Sequence, residues 1–376
     1  MIVGAAGFVL LFAALSAPQS APAPRHTVSI APSAASFDEL SKAAENARVE
    51  RREDEAIRLY QQALKLKPEW DDGLWNLGML LFENDRPAEA RDLFRRLSTQ
   101  VPKSGPVWAM LGLSEFETRE YPRSLDHLQQ SMKLGFGDNK AVRMSVFYTY
   151  SILMTRFEQY DDAIHLLLTM AASGEEEAPL VDAVGLAALR MPLLPAEIPP
   201  DRHEMIRMTG EAAFAMQTQH FADAEKLFEN IEAEYPNEPG VHYFHGAYLM
   251  TVRPEEGIQE MNRELEISPS HVPARIGLAD EFLKEGRLDE GLGLAREAVK
   301  LDPTSAPAHM VLGEILTAKG DLPGAIQELR TASEEAPDVK RVHWDLARAY
   351  TAAGQTEEAT KEKEVIQKIV QEDSAK

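Results

Sequence analysis

The chain has no cysteine, which excludes disulfide staples, thiolate catalysis, Cys-ligated zinc and a lipid-anchoring cysteine. It is also short of basic residues: 39 Lys and Arg face 61 Asp and Glu, a formal net charge of -22. Phosphate backbones are held by Lys and Arg in excess, so no nucleic-acid partner is expected. A cationic or apolar partner fits the charge. No stretch alternates with the period of a strand, so the chain reads as almost wholly helical. Catalytic signatures are missing as well: there is no H-E-x-x-H, no G-x-S-x-G and no Walker loop. Gly291-Leu292-Gly293 is too short for a dinucleotide fingerprint, and His203-Glu204 lacks a second His at zincin spacing. Glu175-Glu176-Glu177 reads as a solvated turn. His242 and His245 lie three apart on one expected helix, a spacing that permits a shared metal. They occupy positions that elsewhere hold Leu74 and Leu77, or Trp108 and Leu111, and packing explains them better. The sequence therefore predicts no catalytic residue, no cofactor and no metal, and the chain is not expected to be an enzyme.

What is present is a period. Ala56 and Ala90 are 34 residues apart, and Ala163, Ala224, Ala325 and Ala359 mark equivalent places in later stretches. Gly78, Gly112, Gly185, Gly246 and Gly313 take a second small position twelve residues earlier in the same frame. Units start at Phe37, Asp71, Gly105, Met144, Met205, Pro239, Val272, Ala306 and Lys340, with a half unit from Ala178. The clearest runs Leu74, Leu77, Gly78, Leu81, then Ala90, Phe94 and Leu97, and closes on Pro102. Each unit spells two short amphipathic helices, A and B, joined by a polar turn such as Glu83-Asn84-Asp85-Arg86 or Lys319-Gly320-Asp321. The small residues set how closely helices A and B approach where they cross, so a larger side chain there should wedge them apart.

These residues resemble the tetratricopeptide repeat, a 34-residue helix-turn-helix unit with a bulky residue, Leu-Gly, an aromatic, Ala, Phe and Pro in order. The resemblance covers about residues 37 to 366. It implies an all-α, right-handed solenoid of antiparallel helix pairs, about nine repeats and one half repeat. It also implies binding of a protein or peptide.

The organisation follows from where the pattern starts and breaks. Residues 1–17 read as a signal peptide, since the apolar run 2–15 suits a secretory core and is too short to span a bilayer comfortably. Its departure from that pattern is the lack of a basic start, the first Lys or Arg being Arg25. Residues 18–36, rich in Ala, Pro and Ser, read as a disordered leader. An N-terminal array follows at 37–173, a half repeat with a Pro-rich insertion at 174–204, a C-terminal array with a capping helix at 205–370, and a polar tail at 371–376. The insertion, Met191 to Pro200, carries four prolines and replaces a helix B; its Leu193, Leu194 and Ile198 favour packing across the array over service as a linker. Export to the periplasm or exterior is expected, with no stable membrane span after cleavage, the alternative being an inner-membrane anchor formed by an uncleaved segment.

In tetratricopeptide arrays the A helices line the concave side. The resemblance implies that positions 5, 9 and 12 of each unit face the groove. Here they supply Trp75, Met79, Phe82, Leu113, Phe116, Tyr148, Ile152, Leu186, Leu189, Met216, Tyr243 and Met250. Trp75 and Met79 stand where relatives that clamp a C-terminal carboxylate carry Lys and Asn, so that mode is not expected. The reading is a non-catalytic scaffold or adaptor of the bacterial cell envelope that holds an apolar peptide or helix. The alternative is an accessory or recognition subunit of an envelope enzyme or polysaccharide-export complex. A third possibility is that these side chains bury one another, or that the Pro-rich segment fills the groove.

Overall fold

The computed structural model describes residues 35–136, 140–172 and 178–374. The signal peptide, nearly all of the leader and Glu175-Glu176-Glu177 lie outside the described residues. Within them nineteen α-helices follow in sequence with no strand. Nine hairpins account for all but one: α1 (Phe37–Val49) and α2 (Glu53–Leu66), α3 (Asp71–Glu83) and α4 (Pro87–Gln100), α5 (Gly105–Glu117) and α6 (Tyr121–Leu134), α7 (Lys140–Arg156) and α8 (Tyr160–Ala172). After the lone α9 (Ala178–Ala188) come α10 (His203–Gln217) and α11 (Phe221–Glu234), α12 (Val241–Val252) and α13 (Pro254–Ile267), α14 (Val272–Lys284) and α15 (Leu288–Leu301). The series ends with α16 (Ala306–Lys319) and α17 (Leu322–Glu335), then α18 (Lys340–Ala352) and α19 (Thr356–Ser374). The last helix thus runs on into the stretch expected to be a polar tail. α7 begins four residues before Met144, α10 two before Met205 and α12 two after Pro239.

The described residues divide into two compact units, those up to 183 together with 192–200, and 184–191 together with those from 201 on. Each is a stack of helix pairs in which a hairpin's two helices pack on each other and on the next hairpin, the arrangement of an α-solenoid.

The small positions explain the pairing. Ala56, Ala90, Ala163, Ala224 and Ala325 are wholly buried. A Cβ built on Gly78 would lie 2.7 Å from the Phe94 ring, one on Gly112 2.8 Å from Leu128, and one on Gly313 2.5 Å from Leu329. At Gly246 the nearest atoms, on Glu260 and Met261, stand 3.2 Å away. Gly185 differs: its Cβ would meet the Ile206 carbonyl at 1.9 Å, so α10 takes the place of the absent helix B against α9.

Helix A stops by one device throughout. A residue with positive φ follows it at Arg51, Asp85, Arg119, Glu158, Arg190, Gln219, Gly286, Gly320 and Gly354. The next N–H then reaches back to the carbonyl five residues earlier, as from Arg86 to Leu81 (2.9 Å) or His220 to Ala215 (2.7 Å), which caps the helix end. The exception is the α12–α13 hairpin, where Arg253 caps both helices and the left-handed residue is missing. The register of α13 shifts by one residue, and Gly257, not Ile258, is the buried small residue at the crossing, with a Cβ position 2.7 Å from the Met250 nitrogen.

The Pro-rich stretch holds a single 3-10 turn, Pro195–Glu197, and packs by burying Leu194 and Ile198, with Leu193 half-buried. Arg156 donates to the Pro192 carbonyl (2.9 Å) and pairs with Glu197 (2.8 Å), which ties the segment to α7 within the first unit.

Candidate partner-binding surface

In the first unit α3 packs beside α5 and α5 beside α7, so the A helices form a row. On α3, Gly73, Leu74, Leu77, Gly78, Leu80 and Leu81 are buried, which leaves Trp75, Met79 and Phe82 half-buried on the remaining face at i, i+4 and i+7. Trp75 is steadied by an edge-on contact with Phe94, centroids 5.7 Å apart. Phe116 and Tyr148 continue the half-buried aromatic row on α5 and α7, and burial, followed by the charge of Asp182, pushes the Tyr148 hydroxyl up to about 12.

Leu113 and Ile152 are buried, as are Leu186 and Leu189 in the second unit. Expected on the groove, these four side chains are instead packed into the interior of the helix stacks and stand apart from the half-buried row. In the second unit Met216, Tyr243 and Met250 remain half-buried, the last two packed against the cluster of Met261, Ala274, Leu278 and Phe282.

Further along that unit the A helices turn acidic. Arg341 on α18 donates to Glu314 on α16 at 3.1 Å and lies 3.5 Å from Asp280 on α14 and 3.8 Å from Asp345. Glu314 is pushed up to about 7, first by burial and then by the neighbouring Asp345 carboxylate, against the pull of Arg341. Trp344, beside Asp345, is 56% exposed.

The two histidines weighed from sequence are both buried. His242 Nδ1 lies 2.6 Å from Glu260 and Nε2 3.0 Å from the Pro236 carbonyl. His245 Nδ1 lies 2.5 Å from Glu232, and its ring stacks on Phe228 at 4.3 Å. Burial opposes a charge on His242, yet the bonds to Glu260 and Pro236 outweigh it and raise its pKa. Glu260 is lowered, chiefly by the bond to His242.

The His242 arrangement recurs. His309 bridges Glu328 (2.6 Å) and the Pro303 carbonyl (2.9 Å), and His343 bridges Glu362 (2.6 Å) and the Pro337 carbonyl (2.9 Å). Each staple joins helix A both to its own helix B and to the loop before it. The pattern was visible in sequence as a His six residues after a Pro, with Glu 18 or 19 residues further on.

A family model described as tetratricopeptide repeat matches residues 50–113, 282–343 and 316–375. Among solved structures, MamA from Desulfovibrio magneticus RS-1 is 15% identical, covering 45% of this chain and 96% of its own, at a TM-score of 0.41. Another crystal structure of MamA gives 16% identity, 44% and 97% coverage, and 0.40. Yeast Tom70 gives 14%, 89% and 84%, and 0.39. Comparison with curated proteins finds no match.

Proposed function

Since the chain is a tetratricopeptide repeat protein, we propose that it is a non-catalytic scaffold whose first unit holds an apolar peptide or helix of another protein against α3, α5 and α7. The observation that carries this reading is the row of half-buried Trp75, Met79 and Phe82, continued by Phe116 and Tyr148. Large side chains that are rigid and incompletely covered are the usual anchors of a protein interface. The place of action rests on sequence alone: the apolar run 2–15 and the absence of cysteine suit an exported, envelope-associated adaptor. No helix among the described residues is long and apolar enough to cross a membrane.

A photo-crosslinker at position 79 in cells, with position 89 on the exposed side of α4 as control, tests the reading. A discrete protein adduct should form from position 79 only, and Trp75→Ala with Phe116→Ala should abolish it at unchanged helical content. Equal labelling from both positions, or collapse of the double variant's fold, assigns these side chains to the core and defeats the proposal.

A further inference from the structure

We propose that the second unit binds one divalent transition-metal ion, zinc in the first instance, between α11, α12 and α13, on Glu232, His242, His245 and Glu260. The three repeats with a His–Glu staple supply the comparison. Where the first has His245, the other two have Leu312 and Leu346, both buried. Where the first has Glu232, they have Val299 and Ser333. The fold therefore needs neither an imidazole nor a carboxylate at these places, and burying the His245 imidazole without full pairing is costly.

The pairing is indeed incomplete. His245 Nε2 is buried without a hydrogen-bond partner, and the nearest carboxylate oxygen, on Glu225, is 4.0 Å away. A metal on Nδ1 would place the ring hydrogen on Nε2, on the side of Glu225, which is itself held by Arg253 and would have to close by about 1 Å to accept it. His242 already has that arrangement, its Nε2 directed at the Pro236 carbonyl. Metal-bound imidazoles characteristically donate from the distal nitrogen to a carboxylate or carbonyl.

His242 Nδ1 faces both carboxylates, and His245 Nδ1 faces that of Glu232. The ligating atoms of Glu232, His245 and Glu260 lie within 4.8 Å of one another, and His242 Nδ1 is 2.6 Å from Glu260 and 3.9 Å from Glu232. A tetrahedron with bonds of about 2.0 to 2.1 Å sets its donors about 3.4 Å apart. The two short His–Glu contacts open by about 1 Å to admit the ion and the longer separations close. Two imidazoles and two carboxylates without a thiolate suit Zn²⁺, Ni²⁺ or Cu²⁺; Ca²⁺ and Mg²⁺ prefer oxygen alone.

The untagged full chain, stripped with chelator, is titrated with Zn²⁺ by calorimetry and with Co²⁺ by visible absorption. One Zn²⁺ per chain and the ligand-field band of tetrahedral Co²⁺ are expected, neither displaced by excess Ca²⁺. His245→Leu and Glu232→Val copy the sister repeats, and each should weaken Zn²⁺ by more than about 100-fold and remove the Co²⁺ band. His309→Leu, which breaks a simple staple, should leave both intact. Unchanged Zn²⁺ affinity in Glu232→Val, or binding no tighter than that of Ca²⁺, overturns the proposal; Glu232 is half-exposed, so this variant decides even where His245→Leu fails to fold.

Discussion

The buried carboxylate of Glu264 on α13 accepts the Gly240 N–H through both its oxygens, each at 3.0 Å. It also accepts from the Tyr243 N–H at 3.2 Å, so one side chain satisfies the first turn of α12, where the helix dipole favours negative charge. Gly240 has a φ of +90°, and a Cβ there would lie 2.7 Å from the Leu189 carbonyl. Glu264→Ala should therefore cost about 2 to 4 kcal/mol by leaving these donors buried and unpaired, and Glu264→Gln, which keeps one carbonyl, clearly less. Gly240→Ala should lose about 1 to 3 kcal/mol through backbone strain alone. Because repeat arrays open locally, the readout is hydrogen exchange of the α12 amides beside denaturant unfolding.

The helix-stop residues offer a stabilising substitution. Arg119 and Gln219 hold φ of 62° without an ion pair or side-chain hydrogen bond among the described contacts, a conformation that glycine adopts freely and other residues resist. Arg119→Gly and Gln219→Gly should each gain about 0.5 to 1 kcal/mol. Gly320→Ala, where φ is 84° and nothing stands within 4 Å of a new Cβ, should lose about 1 to 2 kcal/mol from the backbone alone. Thermal melts of the three variants check the pair of signs.

The repeat frame was legible because each marker answers a local steric demand. Small residues stand where helices cross, and a turn residue stands where helix A stops, so Phe37, Asp71, Gly105, Val272, Ala306 and Lys340 coincide with helix starts. The tightened α12–α13 hairpin was only half legible. The step from Pro239 to Val272 is one residue short of the period, but Gly257 and Ile258 both suit a helix, and only the crossing geometry chooses between them. Mutual burial of groove side chains was an open alternative in the sequence, but the choice of Leu113, Ile152, Leu186 and Leu189 was not legible, since a 34-residue period does not encode how successive helices are spaced. Staples such as His309 to Glu328 join residues 19 apart on different helices, so helical periodicity misses them and only the recurrence of Pro, His and Glu at fixed spacing could have pointed to them.

Glu314 should make the second unit weaker as the solution turns alkaline. Burial, then Asp345, raises its folded pKa from 4.5 to about 7, so the native state holds a proton that the unfolded state releases. That contribution is whole below pH 4.5 and lost as pH rises through about 7. Glu314→Gln keeps an acceptor for Arg341 and cannot ionise, so its stability should be flatter across this window and exceed that of wild type above it. Equal slopes for the two proteins from pH 4.5 to 7 would show that Glu314 is not protonated in the folded chain.

His271 should act in the opposite direction. It caps α14, its Nδ1 accepting the Ala274 N–H at 3.1 Å, and a ring that accepts at Nδ1 must be neutral. Burial, then the charges of Arg190 and Arg275, lowers its pKa from 6.5 to about 4, although Glu264 lies 4.0 Å from Nε2. A lowered base binds fewer protons folded than unfolded, so its contribution is whole above pH 6.5 and lost as pH falls through about 4. Asn is a strong capping residue without a titrating group, so His271→Asn should match wild type near neutrality. It should overtake wild type progressively from pH 6.5 down to 4, because only the wild-type cap is lost on protonation. Melting both proteins across that range isolates the histidine, since every other titrating group is common to the two. A difference between them that does not vary with pH would mean that the cap is not held by the neutral ring.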